Sequence, residues 1–128
     1  MTWCLQRDQP VLGHVEREAV FDVIRRYDRV HFDLIAVAVM DDHVHVLVAP
    51  HEGWPLERLI QGWKAAAAHR LRHCGRRGPF WQREYHDRII RSRSDLLAKM
   101  RYVADNPRKR WPALSDYPWL YVRVGAEL

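Results

Sequence analysis

Apolar residues recur at helical spacing in three segments of the chain. In the first of them, Val20, Val23 and Ile24 lie three or four residues apart, as on one face of an amphipathic helix. A serine that can cap the third segment precedes it, and Pro107 is predicted to stop that helix, since proline inside a helix costs about 3 kcal/mol. The predicted helices cover residues 16–29, residues 56–73, and a third segment from its N-cap Ser94 to Asp105.

Four other segments are short and have the composition of β-strands. Asp41 and Asp42 can form a turn between two of them, which predicts a β-hairpin. The predicted strands cover residues 2–6, 32–40, 43–49 and 85–90. The order strand, helix, strand, strand, helix, strand, helix is that of a split βαβ, ferredoxin-like α+β sandwich, with an antiparallel sheet, helices on one face and an added C-terminal helix. Residues 1–128 are predicted to form a single domain.

The charge of the chain favours a polyanionic partner. Lys and Arg number 21 against 16 Asp and Glu, and most of the basic excess follows Lys64. Arginine dominates this excess, and its planar guanidinium suits phosphate contacts and stacking on bases. A merely solvated basic surface is the alternative. The apolar runs are too short to cross a bilayer and no signal peptide is recognisable, so we expect a cytoplasmic protein with no membrane association.

Two histidines interrupt the second strand of the predicted hairpin. His43 and His45 are two residues apart, so strand alternation places both imidazoles on one face of the sheet. Two such imidazoles can chelate one divalent ion and leave positions open for a third ligand, water and substrate. The alternative is one hydrogen-bonded core histidine and one surface histidine.

A second pair of polar side chains lies on the third predicted helix. Tyr102 and Asn106 are four residues apart and therefore project from the same face. A phenol can attack a phosphodiester, and an amide oxygen could complete a two-histidine metal site. The alternatives are that Tyr102 packs in the core and that Asn106 caps the helix before Pro107.

Three motifs, in order along the chain, resemble those of the HUH single-tyrosine transposases, and among them the REP-associated tyrosine transposases. They are DDHVHVLVAP (residues 41–50), FWQREYHDRIIR (residues 80–91) and YVADNPRKRW (residues 102–111). Relatives have a Trp-Gln block followed by an aromatic residue, an Asp and an apolar strand in the second motif. In the third they have a tyrosine, three residues, then Asn-Pro and basic residues.

The resemblance implies a metal-dependent enzyme that nicks and joins single-stranded or hairpin DNA. It implies that His43, His45 and Asn106 hold Mg²⁺ or Mn²⁺, and that Tyr102 attacks the scissile phosphate to give a 5′-phosphotyrosine. Related enzymes act within one chain or across a dimer, so a monomer and a homodimer both remain open. The other possibility is a catalytically silent nucleic-acid-binding protein. Predicted DNA contacts are Lys64, which matches a basic position of the family, together with Arg83, Arg108, Lys109 and Arg110.

Overall fold

The computed structural model describes residues 1–123 and contains five strands and three α-helices in that range; residues 124–128 of the predicted domain lie outside the described residues. No helix among residues 1–123 is long and apolar enough to cross a membrane. The elements are β1 (Thr2–Leu5), α1 (His14–Arg25), β2 (Phe32–Val39), β3 (His43–Pro50), α2 (Leu56–His73), β4 (Trp81–His86), α3 (Arg93–Arg110) and β5 (Leu120–Val122).

The strands form one antiparallel sheet in the order β4-β1-β3-β2-β5. The first four strands, with α1 and α2, have the order and pairing of the predicted ferredoxin-like α+β sandwich, and this prediction is confirmed. The hairpin of β2 and β3 lies at the centre, so β3, which carries both histidines, has a neighbour on each side. This position fixes the backbone of β3 through two hydrogen-bonded ladders.

The two faces of the sheet are covered by different helices. Trp3, Val44 and Val46 face α1 and α2 and belong to the larger core cluster. On the opposite face, Ala38 and Leu47 pack with Leu96 and Val103 of α3 in a second cluster. Strand β3 is therefore buried on both faces, and α3 lies across the side of the sheet on which residues 43, 45 and 47 project.

Several predicted boundaries are wrong, and tertiary contacts account for the differences. Helix α3 does not stop before Pro107 but continues to Arg110. Val103, Asn106 and Pro107 are buried, and the stabilisation from this packing exceeds the free-energy cost of a proline inside the helix. Its N-cap is Ser92, whose hydroxyl accepts from the Asp95 amide, and not Ser94.

The other differences concern two strands and the first helix. Strand β4 spans Trp81–His86 instead of residues 85–90, because pairing with β1 selects the earlier residues, while Ile89 is largely exposed. Helix α1 begins and ends earlier than predicted, and Arg29, at a positive φ of 70°, lies in the turn that follows it. Strand β5, which pairs with β2, was not predicted from the sequence.

Candidate active site

His43 and His45 point to the same face of β3, as strand alternation predicts, and their rings converge. The two Nε2 atoms are 3.0 Å apart, with the ring planes nearly perpendicular. His45 is buried, whereas His43 is half-buried at the rim of the sheet. The prediction that both imidazoles lie on one face is thus confirmed.

Each imidazole is oriented through its other nitrogen. The Nδ1 atom of His43 lies 2.6 Å from the carboxylate of Asp42, its neighbour in the turn. The Nδ1 atom of His45 lies 2.7 Å from the hydroxyl of Thr2, which faces it across the β1–β3 ladder. Partners on Nδ1 fix the orientation of a ligand histidine, and a carboxylate partner makes it a better donor. Both Nε2 atoms are thereby directed at one point.

Helix α3 brings Tyr102 and Asn106 to the same place. Asn106 is buried and its side chain interacts with the His45 ring, so it lies inside the helix and does not cap it. The Tyr102 ring meets the His45 ring edge-on, with centroids 5.4 Å apart, and 45% of the residue is exposed. Tyr102 is therefore a surface residue beside the histidine pair and not a core residue.

Positive charge surrounds the Tyr102 ring. The ammonium of Lys109 lies 4.6 Å from its centroid and that of Lys99 lies 5.7 Å away. Tyr102, Lys99 and His45 also line an open cavity of about 220 Å³ between α3 and the β1 side of the sheet. Cations at these positions attract a phosphate to the phenol. The cluster can therefore present a nucleophile, imidazole nitrogens and cations to one phosphodiester.

Burial is the main influence on the titration of His45. Burial and, to a smaller extent, the neighbouring His43 lower the pKa of this imidazole from 6.5 to about 4, while the Asn106 side chain acts in the opposite direction. His45 is therefore neutral at physiological pH, and a neutral imidazole carries a lone pair on one of its two nitrogens. A metal ligand must be in this state.

The low pKa of His45 predicts a loss of stability in mild acid when no divalent metal is present. Between pH 6.5 and about 4 the unfolded chain binds a proton at His45 that the folded protein does not bind. The free energy of unfolding therefore falls with falling pH in this window, by up to about 3 kcal/mol, and the loss is complete near pH 4. Urea unfolding in EDTA measures it. His45→Gln should flatten the pH dependence, and equal slopes for the two proteins would contradict the assignment.

The histidines and Asn106 fit a divalent ion. Two nitrogens at about 2.1 Å from one ion, at a right angle to each other, would be about 3.0 Å apart, which is the separation of the two Nε2 atoms. Asn106 offers an amide oxygen on the same side. In residues 1–123 no group of three His, Cys, Asp or Glu side chains is arranged for metal binding.

The predicted DNA contacts do not all lie near the histidines. Of the five predicted DNA contacts, Lys109 is the one that lies over the Tyr102 ring. Arg108 is exposed on the last turn of α3, and Arg83 is exposed on the edge strand β4. The ammonium of Lys64 donates to the Gln82 carbonyl at 3.0 Å, and burial lowers its pKa. Lys64 thus links α2 to β4, a structural contact that the sequence did not indicate.

Arg110 has a partner inside the protein. Its guanidinium donates to the buried Asp41 carboxylate at 3.0 Å, which ties the end of α3 to the turn before His43. The other Asp41 oxygen, Oδ1, is buried without a hydrogen-bond partner among the described residues. This ion pair connects the helix that carries Tyr102 with the hairpin that carries the histidines. The Arg110 guanidinium therefore already has a partner within the protein.

Removal of the Arg110 charge is expected to destabilise the fold. Arg110→Gln leaves the buried Asp41 carboxylate uncompensated, but the arginine itself is half exposed, so we expect a loss of about 1 kcal/mol. That corresponds to a fall in Tm of roughly 2 to 4 °C, measured by thermal unfolding. Arg108→Gln is the matched control, because Arg108 is exposed and has no ion pair within the described residues. Equal shifts for the two variants would contradict a role for the pair.

Sequence reasoning missed Asp41, Asp42 and Thr2. Asp42 precedes His43 directly, so a carboxylate beside the imidazole could have been proposed from adjacency alone. Thr2 could be found only from the register that places it opposite His45. Asp41 was assigned only a turn, although its side chain is buried against Arg110.

The comparisons with known proteins concern the family and the fold of the chain. The model of the family "Transposase IS200 like" matches residues 1–106, a range that ends at Asn106 and includes Tyr102 and both histidines. No curated protein matches the chain. Among solved structures, a REP-associated tyrosine transposase bound to a REP hairpin is similar, with a TM-score of 0.76 and 23% identity over 93% of this chain and 72% of that one. The family match spans most of the sequence, and the chain belongs to the IS200-like transposase family.

Proposed function

We propose that this protein nicks and joins single-stranded DNA at hairpins through a covalent bond to Tyr102. The observation that carries the proposal is the convergence of the Tyr102 ring on His45, whose Nε2 atom lies 3.0 Å from that of His43. Membership of a transposase family is consistent with this chemistry. A tyrosine on a helix that packs beside paired imidazoles is suited to phosphoryl transfer.

The nucleophile in the proposed reaction is the Tyr102 oxygen. It attacks the scissile phosphorus, forms a P–O bond and breaks the bond from phosphorus to the 3′ oxygen. The phenol gives up its proton, and the departing oxygen takes one up to become a free 3′-OH, while the DNA end stays attached as a 5′-phosphotyrosine. Attack by a 3′-OH on this ester reverses the exchange and joins strands without an external energy source.

His43, His45 and Asn106 are the residues that would hold Mg²⁺ or Mn²⁺. Bound there, the ion would neutralise charge on a non-bridging phosphate oxygen. Asp42 and Thr2 fix the two imidazoles, so the donor set exists before DNA arrives. Lys109 and Lys99 add positive charge on the Tyr102 side of the same phosphate.

The DNA partner is proposed from charge and from the structural neighbour. The chain carries a net charge of +5, and the similar transposase was solved with a REP hairpin. A folded hairpin with an unpaired flank would place duplex phosphates on basic surface and a single strand at Tyr102. Lys64, Arg83, Arg108, Lys109 and Arg110 remain proposed contacts, with Lys109 the best placed and Lys64 and Arg110 already engaged within the protein.

A covalent-adduct assay tests the proposal. The protein is incubated with a hairpin oligonucleotide that has a single-stranded flank labelled at its 3′ end, in Mn²⁺, Mg²⁺ or EDTA, and then denatured. We expect a labelled protein band with divalent metal and none with EDTA. Binding without an adduct under any metal condition would favour the silent nucleic-acid-binding protein, and absence of both would end the DNA proposal.

A further inference from the structure

A second cavity lies between α1 and α2, on the face of the sheet opposite Tyr102. Its volume is about 330 Å³ and it is open to solvent. One wall is aromatic and contains Tyr27, His31 and Trp54, and one arginine from each side, Arg26 and Arg58, also lines it. None of these side chains takes part in the proposed reaction.

The aromatic wall is a continuous column of stacked rings. Tyr27 and His31 stack with centroids 4.8 Å apart and planes at 16°, and His31 and Trp54 stack at 3.5 Å and 15°. The Arg58 guanidinium lies 4.2 Å from the Trp54 ring centroid and ends the column on that side. At the other end Tyr27 is 49% exposed. The column therefore has a free aromatic end beside the cavity.

Backbone hydrogen bonds hold the column in place. The amide of His31 donates to the Tyr27 carbonyl at 3.1 Å, and the His51 amide donates to the His31 carbonyl at 3.0 Å. The Trp54 amide in turn donates to the His51 carbonyl at 3.0 Å. The three rings thus come from two linked turns with fixed backbones, so ligand binding would need little ordering of the aromatic wall.

Helix α2 leaves space for a ligand beside this column. The floor includes the buried residues Leu59 and Trp63, and Gly62 also lines the cavity. A Cβ built on Gly62 would meet no atom within 4 Å. The cavity is therefore apolar at its base, open above Gly62 and cationic at its sides.

We propose that this cavity binds a nucleotide, with the base against Tyr27 and the apolar floor and the phosphate beside Arg26, the arginine next to Tyr27 in the cavity wall. Aromatic rings beside arginines suit a planar ring that carries an anion, because bases stack on aromatic side chains and guanidinium groups bind phosphate. Arg26 is held only by Asp22 at 3.6 Å, and both side chains are more than half exposed, so a phosphate can replace this contact. Arg58 stacks on Trp54 at the other end of the column and stays outside the proposed phosphate contact.

The nucleotide can come from an unpaired base of a DNA strand or from a free mononucleotide, since both present the same chemistry. The site is on the α1–α2 face and does not involve Tyr102, so it does not depend on the proposed nicking reaction. In a DNA complex it would hold one unpaired base of a strand that passes over this face.

Two ligands distinguish these sources in EDTA, where the nicking reaction cannot interfere. A single-stranded 12-mer containing one 2-aminopurine reports stacking by loss of fluorescence, and deoxyadenosine monophosphate is titrated by calorimetry. We expect Tyr27→Ala to weaken binding of the ligand that uses the cavity by roughly 5- to 100-fold, since one stacked base contributes about 1–3 kcal/mol. Arg26→Gln should weaken it less and reduce its salt dependence.

Two further variants control the experiment. Tyr27→Leu keeps an apolar side chain without a ring, so it should also lose fluorescence quenching while its thermal unfolding stays close to that of wild type. Arg7→Gln removes an exposed charge outside the cavity and should leave quenching unchanged. Binding by the 12-mer alone assigns the site to DNA, and comparable binding of the monophosphate assigns it to a free nucleotide. If Tyr27→Ala, Tyr27→Leu and Arg26→Gln all bind both ligands like wild type, the cavity is not a nucleotide site, whatever the adduct assay gives.

Discussion

Tyr102→Phe is expected to abolish the covalent protein–DNA adduct completely while leaving the affinity for hairpin DNA within about twofold of wild type. The substitution removes only the phenolic oxygen, which is the proposed nucleophile. Tyr102 is 45% exposed and no hydrogen bond of its hydroxyl occurs among the described residues, so the free energy of unfolding should change by less than about 0.5 kcal/mol. Denaturing gels measure the adduct and fluorescence anisotropy measures binding.

Tyr85→Phe is the matched control for this experiment. Tyr85 lies on β4, where its ring is 5.9 Å from the Lys64 ammonium, and it has no contact with the histidine pair. This variant should form the adduct at the wild-type rate. An adduct in Tyr102→Phe that disappears in Tyr85→Phe would assign the nucleophile to β4 and contradict the arrangement proposed for α3.

Much of the candidate site follows from periodicity. Two-residue spacing in a strand predicted that His43 and His45 share a face, and four-residue spacing in a helix predicted the same of Tyr102 and Asn106. Both arrangements are present, and α3 lies on the side of the sheet where the histidines project. Local spacing was sufficient because each pair lies within one element, whose geometry is independent of the rest of the fold.

Contacts between distant segments could not be predicted in this way. Thr2 meets His45 only because of the β1–β3 register, and Arg110 meets Asp41 only because α3 continues through Pro107. Proline by itself favours the end of a helix. The free energy gained by burying Val103 against the sheet is larger than this preference, so the helix continues. The same limit applies to β4, whose residues are selected by pairing with β1 and not by their own composition.

The Asp41–Arg110 ion pair helps to orient α3 on the sheet. Leu96 and Val103 hold α3 on the sheet by apolar packing, which allows small rotations of the helix. The ion pair at Arg110 is directional and fixes the orientation of the helix end relative to the Asp41 turn. Asp41, His43 and His45 belong to the same hairpin. The distance between the Tyr102 ring and the imidazoles therefore depends on contacts along the length of α3.

His43→Ala and His45→Ala are each expected to lower adduct formation by at least about 100-fold, since a metal ion supplies several kcal/mol of transition-state stabilisation. Hairpin affinity measured in EDTA should stay within roughly threefold, because phosphate contacts are distributed over many cations. Each variant should also lose Mn²⁺ binding, measured by calorimetry without DNA, which separates a ligand role from a role in DNA contact. His69→Ala is the control, because His69 is exposed on α2 and distant in sequence from the pair. Parallel losses of DNA affinity and adduct would point to a folding role for the histidines, and wild-type Mn²⁺ binding in both variants would place the metal elsewhere.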